Sequence, residues 1–176
     1  MSSLRPVIIG GGPAGLMAAL SAARSGARVI LAEETAEAGG QLLSLPATGD
    51  GALTIDGKSP REWIAGALDE LASNDRVTVL TRTSAIGYYA DNFVALWEKI
   101  SDHLAPKDRN PLLPRQRLWR IRAKEVVLAT GAVERSLVFH QNDRPGIMLA
   151  SAARTYLHRY GALGGHCAAV VANNDA

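Results

Sequence analysis

Between Val7 and Glu34 the chain reads VIIGGGPAGLMAALSAARSGARVILAEE. Aliphatic residues run into glycines at 10, 12 and 15, and an alanine-rich segment follows at once. Arg5 to Gly10 reads as a strand whose consecutive Val7, Ile8 and Ile9 lack polar alternation, as expected where both faces of a parallel sheet are covered. Pro13 suits a first helical turn, because its missing N–H would have had no intrahelical partner. Leu16, Ala19, Leu20 and Ala23 recur on one face until Gly26 ends the helix. Ala27 to Glu34 then supplies a second strand and completes a βαβ unit.

The spacing Gly10-x-Gly12-x-x-Gly15 between strand and helix is that of a dinucleotide-binding turn. Gly10 permits the tight turn, Gly12 lets the backbone approach a pyrophosphate, and Gly15 allows close packing of helix on sheet. Pro13 and Ala14 open the helix, whose free amides face the anion. Glu33, at the end of the second strand, is placed to accept hydrogen bonds from an adenosine ribose, and Glu34 is the alternative acceptor. An acidic residue there favours an unphosphorylated ribose, hence FAD or NAD over NADP.

Further along, Ser59 and Pro60 read as the cap and first turn of a helix with Trp63, Ala67, Leu68 and Leu71 on one face, ending near Asn74. Arg76 to Ala85 reads as one strand. From Ile86 to Lys124 the pattern becomes short antiparallel strands around the proline-rich loop Ser101 to Gln116, a β-meander. Glu125 to Ala132 returns to a buried parallel strand, Leu149 to Gly161 is helical, and HCAAVVAN, 166–173, is a final strand. The expected fold is α/β, a Rossmann-like βαβ parallel sheet with an inserted antiparallel β-meander. Residues 1–146 form the dinucleotide-binding domain, and 147–176 begin a second α/β domain that the chain does not complete, so it reads as a fragment.

Composition excludes several classes. A net charge of +2 with interspersed signs gives no nucleic-acid-binding surface. No segment approaches the roughly 20 apolar residues of a membrane span, and the apolar run after MSSLRP is too short for a signal peptide. The single cysteine, Cys167, forms no internal disulfide or metal cluster and fits a reducing compartment, so the expected location is cytoplasmic. It also removes the C-x-x-C of a flavin-dependent disulfide reductase. No Ser-His-Asp arrangement, paired carboxylates or metal motif is present, and no catalytic or metal-ligating residue is assigned; in a cofactor enzyme the cofactor carries the redox chemistry.

GGGPAG, AGGQL at Ala38 to Leu42 and VVLATGA at Val126 to Ala132 together resemble the two-dinucleotide-binding-domain flavoproteins. The resemblance places Gly40, Gln41, Thr130 and Gly131 near the cofactor, and Thr83, at the end of the third strand, more loosely. The segments RTSAIGYYADNFVALWEKISDHLA, RQRLWRIRAKEVVLATGAVERSLVFHQNDRPGIMLASAARTYLHRYG and VVANNDA resemble, more specifically, the alpha-subunit family of heterotetrameric sarcosine oxidases. Opine oxidase and cyanide-forming amino-acid dehydrogenase subunits share parts of them. This resemblance implies an oxidoreductase that, as a complete complex with beta, gamma and delta subunits, oxidatively demethylates sarcosine to glycine. It implies NAD as the cofactor of this chain, with FAD as the alternative, and an isolated fragment without oxidase activity. A non-catalytic nucleotide-binding module that stabilises a hetero-oligomer is the alternative of a different class.

Other conspicuous residues have ordinary structural readings. His140 is a solvated loop residue, His158 lies at a helix end, and Cys167 is a small residue of a buried strand. Arg135 and Arg144 flank the loop after the A-T-G turn, where phosphate or subunit binding and plain solvation are equally open. Trp63, Trp97 and Trp119 pack in the core or on sheet faces.

Overall fold

The computed structural model describes residues 5–46 and 52–172. The leading MSSL and the last residue of the expected final strand lie outside these residues. Strand β1 (Arg5–Ile9), helix α1 (Pro13–Arg24) and strand β2 (Val29–Ala32) form the expected βαβ unit. Helix α2 (Pro60–Ala72) and strand β3 (Val77–Leu80) follow, then β4 (Thr83–Tyr89), β5 (Phe93–Lys99), β6 (Gln116–Leu128) and helix α3 (Ala150–Tyr160). The six strands form one mixed sheet in the order β3-β2-β1-β6-β5-β4. Strands β3, β2, β1 and the end of β6 are parallel, whereas β4, β5 and the start of β6 make the antiparallel meander.

The unbroken aliphatic runs are explained by the two faces of the parallel sheet. Ile8, Val29 and Leu31 pack with Leu16, Ala19, Leu20, Trp63, Ile64 and Leu71 of the two helices. Val7, Ile9, Ile30 and Ala32 point the other way and pack with Val94, Leu96 and Ala123 of the meander. Neither face is left to solvent, so no position from Val7 to Ile9 or along β2 favours a polar residue. Fully burying each aliphatic side chain contributes about 1.5–3 kcal/mol.

Two strand readings are corrected. Arg76 to Ala85 is not one strand, because Arg82 takes a left-handed φ of 53° and turns the chain between β3 and β4. Thr83 therefore begins the meander instead of ending the third strand. Conversely, the last meander strand and the strand expected from Glu125 are one, β6: its first half pairs with β5 from Gln116 to Arg122, and its second half pairs with β1 as far as Leu128. The meander is thereby tied rigidly to the parallel sheet.

Helix α2 begins with a reciprocal capping box. The Glu62 amide donates to Ser59 Oγ, and Glu62 Oε2 accepts from the Ser59 amide at 2.9 Å. Helix α3 ends as expected at Gly161, which is left-handed, but residues 162–172 form no strand and are exposed, Cys167 included. A strand needs a neighbour for its backbone groups, and no described strand lies beside this segment.

Candidate dinucleotide-binding site

The site grows from the end of β1. Gly10 takes a φ of 103° and donates its amide to Ala32 O at 2.8 Å. A Cβ on Gly10 would collide with the Ala129 carbonyl, and one on Gly15 with the Gly10 carbonyl. Both glycines are thus demanded by the packing of loop, helix and β6. Gly12 differs: its φ of −71° suits any residue, and the nearest atom to an added Cβ is Gly40 Cα at 4.0 Å. The protein itself leaves room for a side chain at Gly12. Gly12 also caps α1 without a side-chain hydrogen bond, and no acidic residue occupies the first turn. An anion approaching the backbone there would meet the first amides of α1 and the positive end of its dipole.

Glu33 and Glu34 have different roles. Glu33 is buried, and its Oε2 accepts from the Gly11 amide at 2.7 Å while Oε1 accepts from the Thr35 amide and hydroxyl at 2.7 and 2.8 Å. A carboxylate offers about four lone-pair sites, so one remains, on Oε2, beside the glycine loop. Glu34 is exposed and lies 3.4 Å from Ser84 Oγ. The ends of β2 and β4 are fastened together, since the Thr83 amide donates to Glu33 O at 2.8 Å.

These elements enclose a cleft of about 470 Å³. Gly10, Glu33, Glu34, Thr83 and Thr130, all singled out in the sequence, line it. Gly40 is placed over the loop: it is left-handed, at φ 53°, and its backbone rests against Gly12. The neighbouring Gly39 amide donates to Gly11 O at 2.7 Å. Gly131 is left-handed at φ 76°. Pro13 and Ala14 are exposed at the start of α1, and Gln41 is exposed in a 3-10 turn over Gly40–Ser44; the three do not line the cleft. The cleft lies at the carboxyl ends of β1, β2 and β6, where strand order runs outward both ways from β1, the usual ligand position in open α/β sheets.

Sequence reasoning missed Gly11, whose amide binds Glu33, and the β4 wall of Ser84, Ala85, Ile86 and Tyr88. The middle glycine of the GGG run was the available signal for Gly11, because a Cβ there would press on Glu33 Oε2 at 2.9 Å. No local signal marks the wall. His140 and His158 are exposed and away from the cleft, as are Arg135 and Arg144. Trp63 is buried beneath the helices, while Trp119 lies on the meander and donates to Glu98 at 2.8 Å. Among the described residues no group of His, Cys, Asp and Glu could hold a metal ion, and no helix is long and apolar enough to cross a membrane.

Comparison with known proteins agrees with this geometry. The chain is 48% identical over 171 residues to the sarcosine oxidase alpha subunit of Rhizobium meliloti (strain 1021), covering 96% of this chain and 16% of that protein. It is 47% identical to the corresponding subunit of Corynebacterium sp. (strain P-1), covering 97% and 17%. The chain thus spans about a sixth of the length of these curated relatives. Among solved structures, L-proline dehydrogenase from P. horikoshii superposes with a TM-score of 0.68 at 28% identity, over 92% of this chain and 29% of that one. Residues 7–126 match the family described as FAD dependent oxidoreductase, and the chain belongs to that family.

Proposed function

We propose that this chain is the dinucleotide-binding part of the alpha subunit of a multi-subunit, sarcosine-oxidase-like amine oxidoreductase. The observation that carries the proposal is the contrast among the glycines: Gly10 and Gly15 are required by the fold, whereas Gly12 is not, and it leaves open space over the start of α1 that suits the close approach of a ligand. In this reading the loop amides and the start of α1 hold the pyrophosphate. Glu33 orients the adenosine ribose through its remaining acceptor site. The Gly39–Gly40 segment, hydrogen-bonded to Gly11, closes the loop from above. Residues 1–146 form this domain and 147–176 the start of the next.

FAD is the dinucleotide that the family match supports, and when bound it supplies two-electron redox chemistry. NAD is the second reading, because the glycine loop and Glu33 address the ADP half common to both. The chain's own residues bind and orient; among the described residues, none that lines the cleft is a histidine, cysteine or lysine. Oxidation of sarcosine belongs to the complete complex with its other subunits, as the names of the relatives suggest.

The test is calorimetry of the full chain with FAD and NAD, with mass spectrometry of any ligand released on denaturation. The expected result is competition of both dinucleotides for one site, with FAD the species released, and loss of both in Gly12→Val. Failure of the folded chain to bind either overturns the proposal. Release of NAD alone reverses the order of the two readings.

A further inference from the structure

Strand β4 contains a bulge that decides what the cleft wall presents. Its pairing with β5 runs Thr83↔Glu98, Ser84↔Trp97 and Ala85↔Leu96, then slips to Gly87↔Ala95, Tyr88↔Val94 and Tyr89↔Phe93, leaving Ile86 without a partner. Val94 and Leu96, two apart on β5, share the buried face toward the parallel sheet. Their partners Ala85 and Tyr88 therefore share that face, although they are three apart on β4. At that spacing an unbulged strand would put Tyr88 on the opposite face from Ala85. The bulge thus turns Tyr88 into the cleft that Ile9, Ala32 and Glu33 close from the other side.

Tyr88 is also held in place. Its hydroxyl donates to Asn92 Oδ1 at 2.8 Å, and the Asn92 amide donates to Lys124 O on β6 at 3.1 Å. Asn92 reaches this position in a left-handed turn, with φ 52° beside Asp91 at 56°. Despite that tether Tyr88 is 54% exposed, and its cleft neighbour Ile86 is 50% exposed. A large ring fixed at its far end and left uncovered has already lost most of the freedom that binding would otherwise cost.

Resting on the dinucleotide reading above, we infer that Tyr88 is the platform on which the base of the bound nucleotide stacks. The order along the cleft supports this occupant. The Gly11 amide meets the Glu33 carboxylate, Glu33 O accepts from the Thr83 amide that starts β4, and Ser84 Oγ lies 3.4 Å from Glu34, so a nucleotide with its phosphates on the loop and its ribose at Glu33 would direct its base to β4. An aromatic face suits a planar heterocycle.

The experiment is calorimetry of the full chain with ADP and with inorganic pyrophosphate. Tyr88→Ala weakens ADP by roughly tenfold or more, the scale of base–aromatic stacking, and leaves pyrophosphate unchanged. Tyr88→Phe, which keeps the ring, retains most of the ADP affinity. Unchanged ADP affinity in Tyr88→Ala overturns the platform while leaving the dinucleotide site intact. Equal losses for ADP and pyrophosphate also overturn it, by showing a structural role. A wild-type chain that binds neither probe overturns the dinucleotide reading, and the platform with it.

Discussion

The Gly11 amide donates a 2.7 Å hydrogen bond to the Glu33 carboxylate, which is buried at the end of β2. The acidic residue read from the sequence as a ribose acceptor is also the residue that holds the glycine loop in shape. In the proposed function, cofactor recognition and loop geometry are thereby linked through one side chain.

Replacing Glu33 by alanine is expected to destabilise the apo chain. It strips the Gly11 and Thr35 amides of their acceptor, and an unsatisfied buried donor costs about 1–3 kcal/mol. Urea denaturation should show a lowered midpoint with unchanged slope. Glu34→Ala, at an exposed position, should leave the midpoint within error.

The glycines should separate by phenotype. Gly15→Ala drives a Cβ into the Gly10 carbonyl and should yield a chain that unfolds at markedly lower urea or not at all. Gly12→Ala meets nothing closer than 4.0 Å and should fold with near wild-type stability while losing dinucleotide affinity. Near wild-type stability with undiminished affinity in Gly12→Ala would remove the main argument for the site.

Ser59→Ala should cost about 1 kcal/mol through loss of the α2 cap. The Ser59 hydroxyl, followed by its backbone amide, holds the Glu62 carboxyl below its usual range. A depressed carboxyl stabilises the fold above its ordinary range and loses that contribution as pH falls through the depressed value. The difference between wild type and Ser59→Ala in thermal melts should therefore shrink on the acid side.

Helix α3 should loosen in acid for a similar reason. The Glu134 carboxylate accepts from the Ser151 amide at 2.8 Å and the Ala150 amide at 3.3 Å, and so caps α3 from the preceding loop. The Ser151 hydroxyl and these amides, with Arg154 nearby, hold its carboxyl low. Protection factors for amides within Ala150–Tyr160, which remove the intrinsic pH dependence of exchange, should be high above the ordinary carboxylate range and fall as pH drops through the depressed value. Glu134→Gln should show lower protection at neutral pH and a flatter dependence of protection on pH.

Local chemistry made much of this protein legible. The 3.6-residue recurrence of Leu16, Ala19, Leu20 and Ala23, the Ser59–Pro60 start of α2 and the left-handed Gly161 after α3 each depend on neighbours a few residues away, and each appears as read. The terminal apolar segment misled because apolar residues signal burial without naming the surface that buries them. Among the described residues, nothing covers 162–172.

By itself, the sequence determined the βαβ unit, its glycine turn and the candidacy of Glu33 or Glu34, because strand, helix and turn preferences are short-range. Tertiary structure buried Glu33, whose carboxylate meets an amide twenty-two residues away, and left Glu34 exposed. It also distinguished Gly12 from Gly10 and Gly15, joined two expected strands into β6, and turned Tyr88 into the cleft through an unpaired Ile86. Those outcomes are set by register and packing between segments distant in the chain, and the local sequence pattern does not encode which residue will stand opposite which.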